Sequence, residues 1–444
     1  MKLPEYVRTC MEALEQAGFQ VYAVGGCVRD SLLGLAPQDF DLCTDATPAQ
    51  MLRVFEDFSL VRSGEKHGTI GVILDHQVVE ITTWRTEGGY QDSRHPDWVR
   101  FVPNLEEDLA RRDFTVNAMA YSPKTGYIDP FGGQADLENR VLRAVGCPEQ
   151  RFAEDALRIL RGARFAARFH LTPDKATEQA MLRLAPSMEH LARERVFEEL
   201  CKLLLWASAE DLCRFAPIIT AVIPELASQV GFDQRNPHHA YDLFTHTAHV
   251  TANTPAELSM RWAGLLHDVG KVPSFFTDED GRGHFYGHAK PGAAMADEIL
   301  RRLKAPTALR EEVVLLVQLH MTLIVPEKKV VRRWLNKLGP EMLHKLLTFQ
   351  YADMTGKGIT EGDELEQFPR LRAIMKEILE ENACFSLKDL AVNGHDLINL
   401  GFAGKQIGQC LQYLLEQVME ENLPNERDAL LEAAKDYVNH GGRV

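Results

Sequence analysis

The chain has no apolar run approaching the roughly 20 residues that a membrane-spanning helix needs. Its opening residues, Met1-Lys2-Leu3-Pro4-Glu5, have none of the character of a signal peptide. Paired cysteines are missing too: the eight present are scattered, without a C-x-x-C or a zinc-like spacing. That argues against a disulfide scaffold or a zinc ribbon, and the expectation is a cytoplasmic protein with reduced thiols. Positive charge is scarce, with 49 Lys and Arg against 64 Asp and Glu, a formal net charge of −15. Sequence-blind coating of nucleic acid is thereby disfavoured, whereas an RNA substrate held by local patches is not. Fixed-period repeats and low-complexity tracts are also absent. What remains is ordinary globular material, 45% hydrophobic and 25% charged, spread over 444 residues. A chain of that length implies roughly three or four domains.

The first 145 residues mix short β-rich runs, turns and helical segments. Val21-Tyr22-Ala23-Val24, Val72-Ile73-Leu74, Val78-Val79-Glu80-Ile81 and Arg100-Phe101-Val102 read as strands, and Asp75-His76-Gln77 can turn one strand into the next. From Glu154 onward the texture is helical, with Pro217, Pro237, Pro291, Pro306 and Pro326 expected between amphipathic segments. Thr86 to Val99 is dense in turn residues and non-periodic, which predicts a long loop, and loops of that length are usually functional or disordered. The expected fold class is α+β, a mixed sheet with helices at the head of a mostly helical body.

Chemistry concentrates first around Gly25-Gly26-Cys27-Val28-Arg29-Asp30 and, nine residues on, Asp39-Phe40-Asp41. Two glycines let backbone approach an anion closely, and a following helix would turn its amides toward phosphate. A short strand carrying Asp39 and Asp41 would put both carboxylates on one face, because side chains alternate with period two. Carboxylates beside a phosphate cradle suit two Mg²⁺ ions bridging triphosphate oxygens and activating a hydroxyl. Glu80 shares a strand face with Val78 and is a candidate third ligand. Arg111-Arg112-Asp113-Phe114-Thr115-Val116-Asn117-Ala118 offers guanidiniums for triphosphate oxygens. In Glu154-Asp155-Ala156-Leu157-Arg158-Ile159-Leu160-Arg161-Gly162-Ala163-Arg164, one continuous helix would align Asp155, Arg158 and Arg161, with Arg164 extending the row. There Asp155 could accept from an exocyclic amine while Arg158 donates to ring nitrogen and carbonyl oxygen, selecting cytosine and adenine without a template. An ordinary salt-bridged helix would show the same pattern.

The order Gly-Gly-x-Val-Arg-Asp, Asp-x-Asp, Arg-Arg-Asp-Phe-Thr-x-Asn-Ala, Glu-Asp-x-x-Arg-x-x-Arg, ending at Glu194-Arg195-Val196-Phe197-Glu198-Glu199-Leu200, resembles the bacterial class II tRNA nucleotidyltransferases. These are the CCA-adding enzymes and the related bacterial poly(A) polymerases, and the likeness spans roughly the first 205 residues. It implies a polymerase-β-like head and a helical neck, with metals on Asp39 and Asp41. It further implies that Gly26, Arg29 and Arg112 contact the incoming nucleotide, and that Asp155, Arg158, Arg161 and Arg164 read its base or phosphates. Arg85 to Phe101 is similar to the flexible loop that full CCA-adders need for the switch to ATP.

A second constellation consists of His246, His267-Asp268 followed by Val269-Gly270-Lys271, then His288, His320 and Asp353, the first three ligands on expected helices. A mixed nitrogen and oxygen set of this kind suits a divalent transition metal. The series resembles the HD phosphohydrolase domain over roughly residues 220–360. It implies cleavage of phosphate esters with Ni²⁺, Mn²⁺, Co²⁺ or Fe²⁺.

Lys328-Lys329-Val330-Val331-Arg332-Arg333-Trp334 reads equally well as a contact for RNA phosphates or as a solvated helix face. From residue 371 on there are seven Lys and Arg against twelve Asp and Glu, a balance of −5. That disfavours an enzyme gripping arbitrary RNA and favours recognition of tRNA by shape. The expected division is a head at 1–145, a neck at 146–210, the HD-like body at 211–370 and a tRNA-binding tail at 371–444. The expected activity is addition of C, C and A to tRNA from CTP and ATP. A poly(A) polymerase and an RNA 3′-end phosphohydrolase working through the HD-like site stand as alternatives.

Overall fold

The computed structural model describes residues 1–88, 98–236, 240–358, 365–381 and 384–439. The chain divides into two compact units: residues 1–232 with 298–310, and residues 233–297 with 311–444. Among the described residues no helix is long and apolar enough to cross a membrane.

In the first unit, α1 (Glu5–Gln16) leads into β1 (Val21–Val24), α2 (Gly26–Leu32), β2 (Asp41–Thr44) and α3 (Pro48–Val54). Strands β3 (Ser59–Val61), β4 (Thr69–Leu74) and β5 (Gln77–Thr83) follow, then β6 (Arg85–Gly88), β7 (Trp98–Phe101), α4 (Leu105–Ala110), β8 (Ala120–Ser122) and β9 (Gly126–Ile128). The seven-stranded sheet runs β3-β4-β5-β2-β1-β8-β9. It is mixed because β2 pairs with β5 in parallel while its pairing with β1 is antiparallel. Between β4 and β5, Asp75 and His76 both have positive φ, 49° and 61°. A two-residue turn with both central residues left-handed matches the twist of a hairpin. Tyr22, Val24, Cys43, Trp84, Leu105, Leu109 and Ala120 form one buried cluster against this sheet.

The expected long loop is in part a hairpin. Its arms are β6 and β7, paired from Arg85 opposite Phe101 to Gly88 opposite Trp98, while 89–97 lie outside the described residues. Four-residue arms that pair only with each other leave too little periodicity to be read from sequence.

Helix α5 (Gly133–Glu138) and β10 (Val141–Leu142) precede the neck helices α6 (Pro148–Glu154) and α7 (Leu157–Phe169). Strand β11 (Thr172–Pro173) pairs with β10, and α8 (Lys175–Leu184), α9 (Arg193–Leu204), α10 (Ala209–Arg214) and α11 (Ala216–Val222) complete this region. The helix expected to run unbroken through Glu154 to Arg164 is interrupted. Asp155 has extended φ and ψ of −144° and 103° and stands between α6 and α7. The Asp155 carboxylate accepts a hydrogen bond from the Leu157 amide at 3.0 Å, the local bonding that makes aspartate a start signal and a poor interior residue.

The second unit contains α12 (Leu243–Asn253), α13 (Leu258–Leu266) and the small hairpin β12 (Phe276–Thr277) and β13 (Gly283–His284). Helices α14 (Ala289–Arg302) and α15 (Thr307–Leu319) lie partly in each unit. Helix α16 (Lys328–Thr355) is broken at Gly339, which takes φ 74° just ahead of Pro340. Pro217 and Pro291 sit inside the first turns of α11 and α14, where the missing N–H has no helical partner to lose, and Pro237 lies outside the described residues. Beyond α17 (Gln367–Glu380), the helices α18 (Gly394–Asn399), α19 (Lys405–Met419) and α20 (Arg427–Asn439) close around Leu390, Val392, Leu397, Leu414, Leu415 and Leu430. Asn393 caps α18 by accepting from the amides of His395 and Asp396, and Asp396 accepts in return from the Asn393 amide.

Candidate active site and candidate metal centre

The sheet of the first unit sets the head carboxylates by register. In the β2–β5 pairing Asp41 stands opposite Glu80, so the two side chains leave the sheet on the same side. Both residues are exposed at the surface, as is Asp39, which lies two residues ahead of β2 with buried Phe40 between. The alternation expected across Asp39-Phe40-Asp41 is therefore present, although the strand itself begins at Asp41. Burial of its carboxylate by surrounding protein raises the Asp41 pKa, Arg112 opposes that shift, and Glu80 and Asp39 add to it. Such a carboxylate, pressed by two like charges, is stabilised by a cation.

Arg112 reaches this place past Gly25. A Cβ on Gly25 would lie 2.8 Å from Nη1 of Arg112, and Gly25 itself adopts φ 73° and ψ −124°. Only glycine takes that conformation readily. Gly26 opens α2, while Arg29, three residues on, is buried. The Arg29 guanidinium donates to the Asp30 carboxylate at 2.6 and 2.8 Å and to the Asn117 side-chain oxygen at 2.5 Å. It also lies over the Phe169 ring, 4.2 Å from the centroid.

In the neck, the expected Asp155, Arg158, Arg161 and Arg164 are organised by Asp113, Glu154, Arg195 and Glu199, which the sequence placed in motifs without a role of their own. Asp113 is a buried hub that accepts from Arg161 at 2.6 and 2.8 Å, from the Asn117 amide side chain at 2.9 Å and from the Phe114 backbone at 2.8 Å. Burial would raise its pKa, but Arg161, Asn117 and Arg158 hold it well below the usual carboxylate range. Arg158 donates to Glu154 at 2.7 Å and to the carbonyls of Arg151 and Arg111, each at 3.1 Å. Asp155 accepts from Arg195 on α9 at 3.1 Å, and Arg164 pairs with Glu199 of the same helix at 3.0 Å. Desolvation pulls the buried Arg164 pKa down to about 10. Arg195 and Glu199 belong to the Glu194–Leu200 segment, so their motif was legible but their partners were not.

In the second unit the six metal-ligand candidates meet. His246 is on α12, His267 ends α13, Asp268 follows in the turn, His288 precedes α14, His320 follows α15 and Asp353 is on α16. All six are buried. Among the described residues the ligand atoms form two groups, each within 4.8 Å: His246, His267 and Asp268, and Asp268, His288 and His320. Asp268 joins them, with Oδ2 3.3 and 3.1 Å from Nε2 of His246 and His267, and Oδ1 3.1 and 3.7 Å from Nε2 of His288 and His320. Asp353 Oδ1 lies 3.2 Å from Nε2 of His246. The Asp39, Asp41 and Glu80 oxygens do not form a group this tight.

Each of the four histidines presents Nδ1 to a backbone carbonyl: Gly356, Gly264, Phe285 and Val317, at 3.1, 2.8, 2.8 and 2.6 Å. A carbonyl only accepts, so Nδ1 carries the proton and the Nε2 lone pairs point inward. Two pairs of these Nε2 atoms then face one another at 3.3 and 3.1 Å. Lone pairs so close, beside carboxylates, fit a donor set for divalent cations. Burial would raise the Asp268 pKa, but His267, Lys271 and His246 hold it well below its ordinary value. Gly270 permits the tight return after Asp268, because a Cβ there would lie 2.4 Å from the His288 carbonyl oxygen.

The Lys328–Trp334 cluster is internally neutralised. Lys328 pairs with Glu377 and Glu381, Arg332 with Glu421 and Arg333 with Glu420, at 2.7 to 2.9 Å. The helix-face reading of that segment therefore describes it better than the phosphate-contact reading.

Residues 21–143 match the Poly A polymerase head domain family, residues 170–228 a probable RNA- and SrmB-binding site of polymerase A, and residues 287–434 the tRNA nucleotidyltransferase domain 2 family. The CCA-adding enzyme of Latilactobacillus sakei subsp. sakei is 36% identical over 440 residues, covering 97% of this chain and 98% of that one. The enzyme of that name from Lactiplantibacillus plantarum is 32% identical over 449 residues, covering 97% and 96%. Among solved structures, the Bacillus stearothermophilus CCA-adding enzyme in complex with CTP superposes with a TM-score of 0.72 at 27% identity, covering 100% of this chain and 99% of that one.

Proposed function

The chain belongs to the CCA-adding enzyme family, and we propose that Asp39, Asp41 and Glu80 form the catalytic edge of its nucleotidyltransferase head. The protein adds C, C and A to the 3′ end of tRNA from CTP and ATP. The observation that carries the site assignment is the β2–β5 register, which places Glu80 beside Asp41, with Asp39 on the same exposed edge and Arg112 against Gly25. Asp39 and Asp41 hold divalent metal, Mg²⁺ by preference, whose chemistry is to neutralise triphosphate charge and make the tRNA 3′-hydroxyl a better nucleophile. Arg112 adds fixed positive charge at the rim. Gly26 keeps the backbone open to the triphosphate, and Arg29 holds the strand-to-helix turn through Asp30 and Asn117. Asp155, in the break ahead of α7, and Arg158, on α7, would read the base, with Arg161 and Arg164 farther along the same helix. The four-part division at 145, 210 and 370 is retained as part of this proposal.

Incubation with tRNA ending at the discriminator base, CTP and ATP tests the reading. Two C and one A, then arrest, are expected from the wild type, and no incorporation from Asp41→Ala. Endless A addition to unselected RNA would point to a poly(A) polymerase instead.

The geometry of the second unit favours a further reading, metal-dependent hydrolysis of phosphate esters. Its support is the inward-facing set of four Nε2 atoms and two carboxylates, with Asp268 shared between its halves. A divalent transition metal held there would supply Lewis acidity toward a phosphoryl oxygen. Lys271, 2.8 Å from Asp268 and 3.0 Å from the Gln234 oxygen, keeps a cation at the rim for phosphate. Loss of phosphatase activity in His267→Ala, with CCA addition intact, is the expected result.

A further inference from the structure

Above the histidine cluster lies a cavity of about 270 Å³, lined by Asp268, His288 and Asp353 together with Lys271, Lys357, His284 and Tyr286. One wall is the segment 283–289, which begins with β13 of the β12–β13 hairpin, and the side chains of the hairpin alternate. Phe275 and Phe285 pack on one another, with centroids 5.3 Å apart, and Lys271 sits over the Phe285 ring. Phe276, His284 and Tyr286 instead project outward. Cross-strand partners Phe276 and His284 have centroids 5.4 Å apart, and His284 and Tyr286 stack at 5.1 Å with an interplanar angle of 25°. The cluster is tied to the turn, because His284 Nε2 meets the Asp278 carboxylate at 2.6 Å. Asp278 also closes the turn by accepting from the amides of Asp280 and Arg282.

Phe276 and Tyr286 also touch, their centroids 5.6 Å apart and their planes tilted by 54°, so the three rings form a compact cluster whose rim faces solvent, with Tyr286 75% exposed and Phe276 46% exposed. Rings packed together on a hairpin at the mouth of a site offer aromatic faces that a flat, polarisable ring covers well, and every nucleobase has such a face. Cations in the cavity, Lys271 and Lys357, and carboxylate–histidine metal ligands at its floor suit the phosphate of the same molecule.

We propose that Phe276, His284 and Tyr286 form a base-stacking platform for the histidine-lined cavity, which takes a nucleoside phosphate with its base on Tyr286 and its phosphate toward Lys271 and Lys357. This rests on the reading of the cluster as a phosphoester-hydrolysing centre and adds the part of the substrate that the cluster cannot see. Tyr286 is a specificity-determining residue and takes no part in bond breaking.

The test uses the full chain and a 2-aminopurine nucleoside 3′-monophosphate, whose fluorescence is quenched on stacking, with ribose 5-phosphate as the base-free competitor. Hydrolysis of both compounds is followed with Mn²⁺ present. In the wild type the expected result is quenching and a preference for the nucleotide over the sugar phosphate. Tyr286→Ala should weaken nucleotide binding roughly 5- to 150-fold, the range that one base–aromatic stack supplies. It should leave ribose 5-phosphate binding and CCA addition unchanged, and Tyr286→Trp should restore both quenching and affinity. Hydrolysis of both compounds with no change of preference in Tyr286→Ala would overturn the platform while leaving the hydrolase reading standing. Stacking lost in Tyr286→Ala, in a protein that hydrolyses neither compound, would support the platform and remove the hydrolase reading. No quenching by the wild type would overturn the platform outright.

Discussion

Replacing Gly25 by alanine should separate the two demands placed on this residue. The first is backbone: φ 73° and ψ −124° lie where an L side chain is strained, at about 1–3 kcal/mol. The second is contact, because the new Cβ falls 2.8 Å from Nη1 of Arg112. That atom ends a flexible side chain and can move, so the clash adds little to stability while displacing the cation nearest Asp41. Gly25→Ala should therefore destabilise the protein by about 2 kcal/mol, nearly all of it from backbone strain. Arg112→Ala should not rescue it, and the coupling in the double variant should stay below about 0.5 kcal/mol. Activity should respond differently. Displaced by an ångström or so, Arg112 and the start of α2 should lose on the order of 10²-fold in nucleotide incorporation. Urea unfolding of the four proteins of the cycle, with CTP incorporation into tRNA measured on the same preparations, provides both numbers. Full rescue of stability by Arg112→Ala would show that the clash dominates, and wild-type values in Gly25→Ala would refute the geometry altogether.

Asp113→Asn should cost about 2–3 kcal/mol, less than a fully buried pair because solvent reaches part of Arg161. The folded Asp113 pKa is depressed, so its contribution is complete above the unfolded value of about 3.9 and is lost as pH falls through the folded value. The stability gap between wild type and variant should accordingly hold at neutral pH and close below about pH 4, as acid titration of unfolding would reveal. Asp41→Ala should remove CMP and AMP incorporation while leaving phosphatase activity, and retained incorporation above background would exclude Asp41 as a metal ligand. Asp268→Ala should lower the transition metal bound per chain, measured by elemental analysis after dialysis, because one carboxylate serves both halves of the cluster. Unchanged metal content would exclude it as the shared ligand.

What the sequence made legible was mostly local. Val21–Val24 was readable as a strand because four apolar residues precede a Gly-Gly break, and Glu80 as an outward carboxylate because period two assigns strand faces. That Glu80 stands beside Asp41 was beyond reach, since it depends on a parallel pairing of strands about 40 residues apart. Asp155 shows the reverse failure. Its spacing to Arg158 and Arg161 suggested one helix face, yet the carboxylate captures the Leu157 amide and the helix starts after it. The four histidines were legible as candidate ligands by residue type, whereas their orientation by four carbonyls is set by the fold around them. The Lys328–Arg333 cluster could be judged only once the tail carboxylates that neutralise it were in place.

The arginines of α7 are not a row of idle donors. Arg158 is committed to Glu154 and two carbonyls, Arg161 to Asp113 and Arg164 to Glu199, while Asp155 is held by Arg195. Free guanidiniums facing water would bind any triphosphate, with little regard to its base. Guanidiniums already engaged accept a ligand only by exchanging one acceptor for another, so a well-placed cytosine or adenine edge is nearly neutral in hydrogen bonds. A wrong edge leaves a buried donor or acceptor unmatched, at about 1–3 kcal/mol each. If these side chains read the base as proposed, selection without a template would come from the penalty on misfit rather than from attraction to the right base. It also follows why the network extends to α9. A reader that moved with its ligand would adapt to guanine or uracil; on the proposed role, the pairing of Asp155 and Arg164 with Arg195 and Glu199 would hold it in place.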